Sequence, residues 1–146
     1  MKIVLTIISW LVLVFWLTRP YKIALDKVRP YLRCDLRVVF PAVSQDGDNL
    51  MHACIALQSD ETLVRAAVEQ NGFALRHADY SLKSNKDIVL AAVKQNGLAI
   101  KYACPLMTTD KEVIIAAVKQ NPLALRYAAS NLQEDVDVII AAFSSR

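Results

Sequence analysis

The chain has 146 residues, 55% of them hydrophobic, and a formal net charge of +3. That length allows one modest domain with a short extension. Residues 59–146 carry ten basic and ten acidic side chains, so most of the chain has no net positive field to attract a nucleic acid, and that class of partner is excluded.

The positive charge lies at the start. Within the first 37 residues, Lys2, Arg19, Lys22, Lys27, Arg29, Arg33 and Arg37 are set against Asp26 and Asp35. They flank residues 3–17, IVLTIISWLVLVFWL, which hold no charge. As a helix, this run rises ~23 Å at ~1.5 Å per residue, short of a hydrocarbon core of ~30 Å. Met1, Lys2 and Thr18 extend it, and Lys2 and Arg19 can reach outward to the interface. Residues 1–18 then approach a short membrane helix, stopped by Pro20. A buried core helix fits less well, because the run is apolar on every face and Trp10 and Trp16 would both need buried partners. A signal peptide has an apolar region of similar length, but Thr18-Arg19-Pro20 is a poor cleavage site. The expectation is a retained single-pass anchor, residues 1–18, then a basic juxtamembrane linker, residues 19–34. Positive charge is denser after the anchor than before it, which places the body in the cytoplasm. Secretion after cleavage is the alternative.

From residue 35 onward the chain is periodic. Ala66-Ala67-Val68 returns as Ala91-Ala92-Val93, Ala116-Ala117-Val118 and Ala141-Ala142-Phe143, each step 25 residues. Gln70-Asn71, Gln95-Asn96 and Gln120-Asn121 keep the register, so AAVKQN is spelled twice. A degenerate copy precedes them: Ala42-Val43, Gln45, Gly47, Leu50 and His52 align with Ala67-Val68, Gln70, Gly72, Leu75 and His77. The predicted organisation is a degenerate capping repeat (35–58), three repeats (59–83, 84–108, 109–133) and a C-terminal half-repeat (134–146).

Each repeat reads as two helices. Ser84 to Asp87 and Thr109 to Glu112 fit a capping box at the start of the first. Ile88, Val89, Ala92 and Val93 then fall on one face of a helix, with Lys94 opposite. Gly72 and Gly97 suggest a left-handed C-cap, but Pro122 in the same register forbids one, since proline fixes φ near about −65°. That slot is therefore the first position of a second helix, and Asn71, Asn96 and Asn121 are its N-caps. The second helix is short, about eight residues, and cannot stand alone. Leu82, Met107 and Leu132 anchor the return loop. Pro41 is expected to break the first helix of the degenerate copy, leaving an irregular cap. Stacking of the units gives the predicted fold class: all-α, a short α-solenoid of 25-residue two-helix repeats behind an N-terminal hydrophobic transmembrane helix.

The runs DIVLAAVKQNGLAIKYA and EVIIAAVKQNPLALRYAA resemble tandem copies of the domain of unknown function 4116, a family of short helical repeats. The resemblance spans about residues 59–143. It implies a helical repeat fold and a microbial or viral source, and it brings no catalytic residues to carry over.

Sites of chemistry are not evident. His52 and His77 occupy the slot that Tyr102 and Tyr127 fill, and equivalent atoms of stacked repeats lie ~8–10 Å apart, too far to share a metal. Cys34, Cys54 and Cys104 form no C-x-x-C pair and are odd in number, against a disulfide framework or zinc site and in favour of a reducing compartment. No catalytic triad, phosphate loop, cofactor motif or small-molecule substrate site stands out, so the expected role is a non-catalytic scaffold that binds a protein. Two ladders could carry it. Arg76, Lys101 and Arg126, beside His77, Tyr102 and Tyr127, form a basic-aromatic ridge suited to an acidic partner. Leu90, Ile115 and Ile140 form an apolar stripe on the flank of the first helix, at the slot where Arg65 stands in the first full repeat. The competing assignments are a solvated face for the ridge and inter-repeat core for the stripe.

Overall fold

A computed structural model describes residues 24–144. The expected anchor and the start of the linker lie outside these residues. Among those described, no helix is long and apolar enough to cross a membrane. The described chain is all-α, built of α- and 3-10 helices without strands.

Five longer helices recur at the 25-residue step: α1 (Leu36–Gln45), α2 (Glu61–Gln70), α3 (Lys86–Gln95), α4 (Lys111–Gln120) and α5 (Val136–Phe143). Each is N-capped by an acid or its amide: Asp35, Asp60, Asn85, Asp110 and Asp135 accept from backbone N–H groups one turn on. This corrects the capping box by one residue. The Ser84 and Thr109 hydroxyls instead donate back to the carbonyls of Tyr80 and Leu106, at 3.1 and 2.7 Å. An Asp or Asn reaches the first-turn amides as well as Ser does, and a carboxylate also meets the positive end of the helix dipole.

Each of α1 to α4 ends in one extended residue that starts the next piece. Asn71, Asn96 and Asn121 have φ near −144°, −150° and −148°, and their side chains accept from the amides of Phe73, Leu98 and Leu123. Pro122 opens its helix as the register argument requires, and no glycine among the described residues has positive φ. The second helix is 3-10 rather than α, six residues in each unit: Gly47–His52, Gly72–His77, Gly97–Tyr102 and Pro122–Tyr127. At ~2.0 Å per residue six such residues span ~12 Å, the length of about eight α-helical ones. With three residues per turn, Gly97 and Ile100 share one buried face, while Leu98 and Lys101 lie on the outer one.

A third piece, unforeseen in the return loop, follows it. Ile55–Gln58, Tyr80–Lys83 and Ser130–Gln133 are single α-turns, and Pro105–Thr109 is its 3-10 equivalent. Leu82, Met107 and Leu132 anchor this piece in the core, as expected. The core itself runs along the chain of units. Leu63, Val64, Ala67 and Val68 of α2 are fully buried, as are Ile88, Val89, Ala92 and Val93 of α3 and Val113, Ile114, Ala117 and Val118 of α4.

The first unit is complete, not an irregular cap. α1 continues through Pro41, which stands at the outward slot of Ala66, Ala91 and Ala116. Val39, Ala42 and Val43 are fully buried on its other side, and that burial outweighs the missing amide. Pro41→Ala should therefore raise stability by about 1–2 kcal/mol, read from the urea midpoint. The repeat register also reaches into the expected linker. Leu25 is fully buried, like Leu50, Leu75 and Ile100, each 25 residues further on. The 3-10 turn Pro30–Cys34 stands where Pro105–Thr109 does.

Three ladders join successive units. In the backbone, the amides of Cys54, Asp79, Cys104 and Ala129 donate to the carbonyls of Arg33, Gln58, Lys83 and Thr108, at 2.9–3.0 Å. In the second, the Oε1 atoms of Gln70, Gln95 and Gln120 accept from the buried amides of Gly47, Gly72 and Gly97, one unit back, at 2.7, 2.7 and 2.5 Å. The Nε2 atoms of the same glutamines donate to the backbone carbonyls of Gln45, Gln70 and Gln95. The third ladder is ionic. Lys86 bridges Asp110 and Glu112 at 2.8 and 2.7 Å, and Lys111 bridges Asp135 and Asp137 at 2.9 and 2.7 Å. Where this slot holds Glu61, the next cap is the uncharged Asn85, and Glu61 pairs with Arg65 on its own helix.

Lys86 holds the Asp110 carboxyl below its usual range, and that carboxylate in turn raises the lysine. A carboxylate depressed in the folded state contributes stability above its unfolded value and loses it as pH falls. Lys86→Met should therefore make the protein less sensitive to acid below ~pH 5. The difference from wild type should shrink in high salt, because both partners are partly solvated. Urea midpoints measured across pH at two salt concentrations check this.

Candidate functional site

The long helices lay one side against each other and leave the opposite side to solvent. On that side the stripe slot holds Phe40, Arg65, Leu90, Ile115 and Ile140 in successive units. Leu90 and Ile115 are half-buried and touch the core, while Ile140 is 57% exposed. Phe40, 38% exposed, joins the slot because α1 runs through Pro41, which the sequence reading had excluded.

Between the helices the stripe floors two shallow grooves. One, of about 540 Å³, lies between α2 and α3, lined by Arg65, Glu69, Asp87, Leu90 and Lys94. The other, of about 440 Å³, lies between α3 and α4, lined by Leu90, Lys94, Glu112, Ile115 and Lys119. Both are open, with Leu90 shared. Helical phase sorts their charges: Asp87 and Glu112 stand in the first turns, at the N-terminal rim, and Lys94 and Lys119 in the last turns. The charges of α3 and α4 thus complement their helix dipoles; Glu69 in the last turn of α2 mixes the charge of the first groove, while the second has an apolar floor with unlike charges at its two edges.

The ridge residues also lie in sequence along one surface, but their charges are largely turned onto neighbours. Arg76 donates from Nε to His77 Nε2 at 2.6 Å and reaches Asp48 at 3.4 Å. Lys101 Nζ lies 4.7 Å from the centre of the Tyr102 ring and 5.2 Å from that of Phe73. Phe73 and Tyr102 meet edge to face at 6.0 Å. Arg126 sits 4.8 Å over Tyr127 and donates to its hydroxyl at 2.6 Å. The three cations are exposed, whereas His77, Tyr102 and Tyr127 are half-buried. Such cation-aromatic stacking contributes about 0.5–1 kcal/mol per exposed pair, so a partner that recruits these cations must replace contacts already made.

His77 titrates below its ordinary value, first because of burial and then because Arg76 stands beside it. Accepting the Arg76 proton at Nε2 suits the neutral imidazole. Among the described residues no group of three or more His, Cys, Asp or Glu could hold a metal ion. Cys104, in the same slot as Cys54, lies 3.0 Å from the Tyr80 hydroxyl, and that hydrogen bond holds its thiol below the ordinary value.

Of the two ladders, then, the stripe presents unpaired apolar surface and the ridge presents charges with existing partners. No curated protein and no solved structure matches the chain. The family described as Domain of unknown function (DUF4116) does match, over residues 60–108 and 110–146. Those two segments cover more than half of the sequence, and the chain belongs to that family.

Proposed function

We propose that the chain is a short α-solenoid tethered to a membrane by residues 1–18, and that its repeat body is a non-catalytic protein-binding module. The observation that carries the binding role is the open groove floored by Leu90 and Ile115, with acidic Glu112 on one rim and Lys94 and Lys119 on the other. This surface suits a short amphipathic helix or extended segment of a partner, apolar side chains down and charges of opposite order at its two edges. Tethering rests on the uncharged run of residues 3–17 and the positive charge after it.

Two experiments test the two parts. Alkaline carbonate extraction with N-terminal sequencing should leave the full chain in the membrane pellet. A soluble mature chain beginning after residue 18 would instead establish the secreted form. For the body, affinity capture compares wild type with Leu90→Glu/Ile115→Glu and with Arg76→Glu/Lys101→Glu/Arg126→Glu. The expected result is partners lost by the stripe variant and kept by the ridge variant. The reverse pattern would move the binding surface to the ridge.

A further inference from the structure

The cysteine slots of the repeat coincide in the first unit and in no other described one. Residue 34 stands in register with Ser59, Ser84 and Thr109, and residue 54 with Asp79, Cys104 and Ala129. The backbone ladder joins these two slots, since the amide of Cys54 donates to the carbonyl of Arg33 at 3.0 Å, as that of Cys104 does to Lys83 at 2.9 Å. Disulfide-bonded α-carbons usually lie about 4.4–6.8 Å apart, and an amide bonded to the carbonyl just before the other cysteine brings the two residues side by side. The Cys34 and Cys54 thiols also shift each other's titration, as neighbouring groups do. The same backbone bond at Asp79, Cys104 and Ala129 shows that the repeat geometry sets this approach. Cys34 is exposed and Cys54 half-buried, so an oxidant can reach the pair.

We propose that Cys34 and Cys54 are a redox pair, closing to a reversible disulfide that fastens the segment before α1 to the turn at Ile55–Gln58, with a glutathione-type disulfide as oxidant. The two thiols are unlike. The neighbouring Cys34 holds Cys54 below its ordinary value, helped by the amides of Leu57 and Ala56, whereas Cys34 itself is pushed up. Cys54, whose thiolate the amides of Leu57 and Ala56 favour, attacks first. It displaces one glutathione thiolate from glutathione disulfide and forms a mixed disulfide. Cys34 then releases its proton and attacks the Cys54 sulfur, expelling the second glutathione thiolate. The protons from the two cysteines end on the two glutathione thiols, so two electrons leave the cysteines and reduce one glutathione disulfide.

Arg33 folds this segment on itself, donating to the carbonyls of Val28 and Asp26 at 3.1 and 2.8 Å. The disulfide adds a covalent closure beside the Cys54–Arg33 backbone bond and holds residues 24–34 against the first unit. The proposal does not depend on membrane tethering.

The test uses the full chain in detergent, equilibrated with glutathione at a series of oxidised-to-reduced ratios and quenched with N-ethylmaleimide. Intact mass and peptide mapping should show two thiols lost together, the peptides containing Cys34 and Cys54 joined, and Cys104 still alkylated. Dithiothreitol should reverse the change. Cys34→Ser, which installs the residue found at Ser59 and Ser84, should stop at a Cys54–glutathione mixed disulfide. In Cys54→Ser, Cys34 should react several-fold more slowly than Cys54 does in the first variant. The proposal is overturned if both cysteines stay alkylatable at the most oxidising ratio, or if the linkage involves Cys104 or two chains.

Discussion

Replacing Gly97 by alanine is expected to destabilise the protein by about 3 kcal/mol or more, the largest effect of any single methyl group in the body. The reason is steric and lies in the next unit. A Cβ on Gly72 would stand 2.5 Å from the carbonyl oxygen of Ala92, and one on Gly97 would meet the Ala117 carbonyl closer still. The obstructing atom is backbone at the end of a helix, so no rotamer change relieves the clash. Either the two units separate or the helix end frays. Gly72→Ala should behave alike. Ala74→Gly, two residues from Gly72 in the same helix, gives a comparison that adds no atom and should cost about 1–2 kcal/mol through helix propensity and one buried methyl. Urea unfolding should show a fall in midpoint for each glycine variant far beyond that of the comparison. Equal losses would mean that Gly97 is not a point of close approach.

Gln95→Ala is expected to cost about 2 kcal/mol, a surprising amount for an exposed side chain at a helix terminus. Its Oε1 is the acceptor for the Gly72 amide, which is buried. Removing that acceptor leaves a buried N–H without its partner, a penalty of about 1–3 kcal/mol. The Nε2 bond to the Gln70 carbonyl, 3.3 Å long, is lost as well. Gln95→Glu separates the two contributions, because it keeps an acceptor for Gly72 while giving up the donor. It should lie between wild type and alanine. A Gln95→Ala protein as stable as wild type would show that the amide of Gly72 finds another partner.

The sequence made the period legible, and with it the all-α class, because tandem copies turn each position into several observations. Pro122 revealed the backbone of a slot where Gly72 and Gly97 alone would have misled, and the Asn caps followed from it. What remained hidden depends on atoms meeting across units. Gln95 looks like any polar residue closing a helix until the glycine it serves is in view, 23 residues earlier. Likewise, Ser84 and Asn85 both suit an N-cap, and only the path of the chain decides between them. Leu25 kept the register too, but it sits among basic residues whose charge dominated the reading of that stretch. In the first unit, local propensity pointed to a break at Pro41, and the burial of Val39, Ala42 and Val43 overrode it. Of the candidate surfaces, the residues of both ladders were readable from register. That the ridge cations fold onto their own aromatics was not, since it depends on rotamers.

The glycine-glutamine stitch gives the row of units a grammar. Each unit must offer an amide forward and a side-chain amide backward, and a proline nitrogen has nothing to offer. A second copy of residues 84–108 placed after the first would read correctly on both sides, Gly97 meeting the new Gln95 and the new Gly97 meeting Gln120. A second copy of residues 109–133 would not, because the Pro122 before it has no hydrogen to give the Gln120 that follows. Duplication can therefore lengthen such a protein from its middle, while proline in that one slot acts as punctuation.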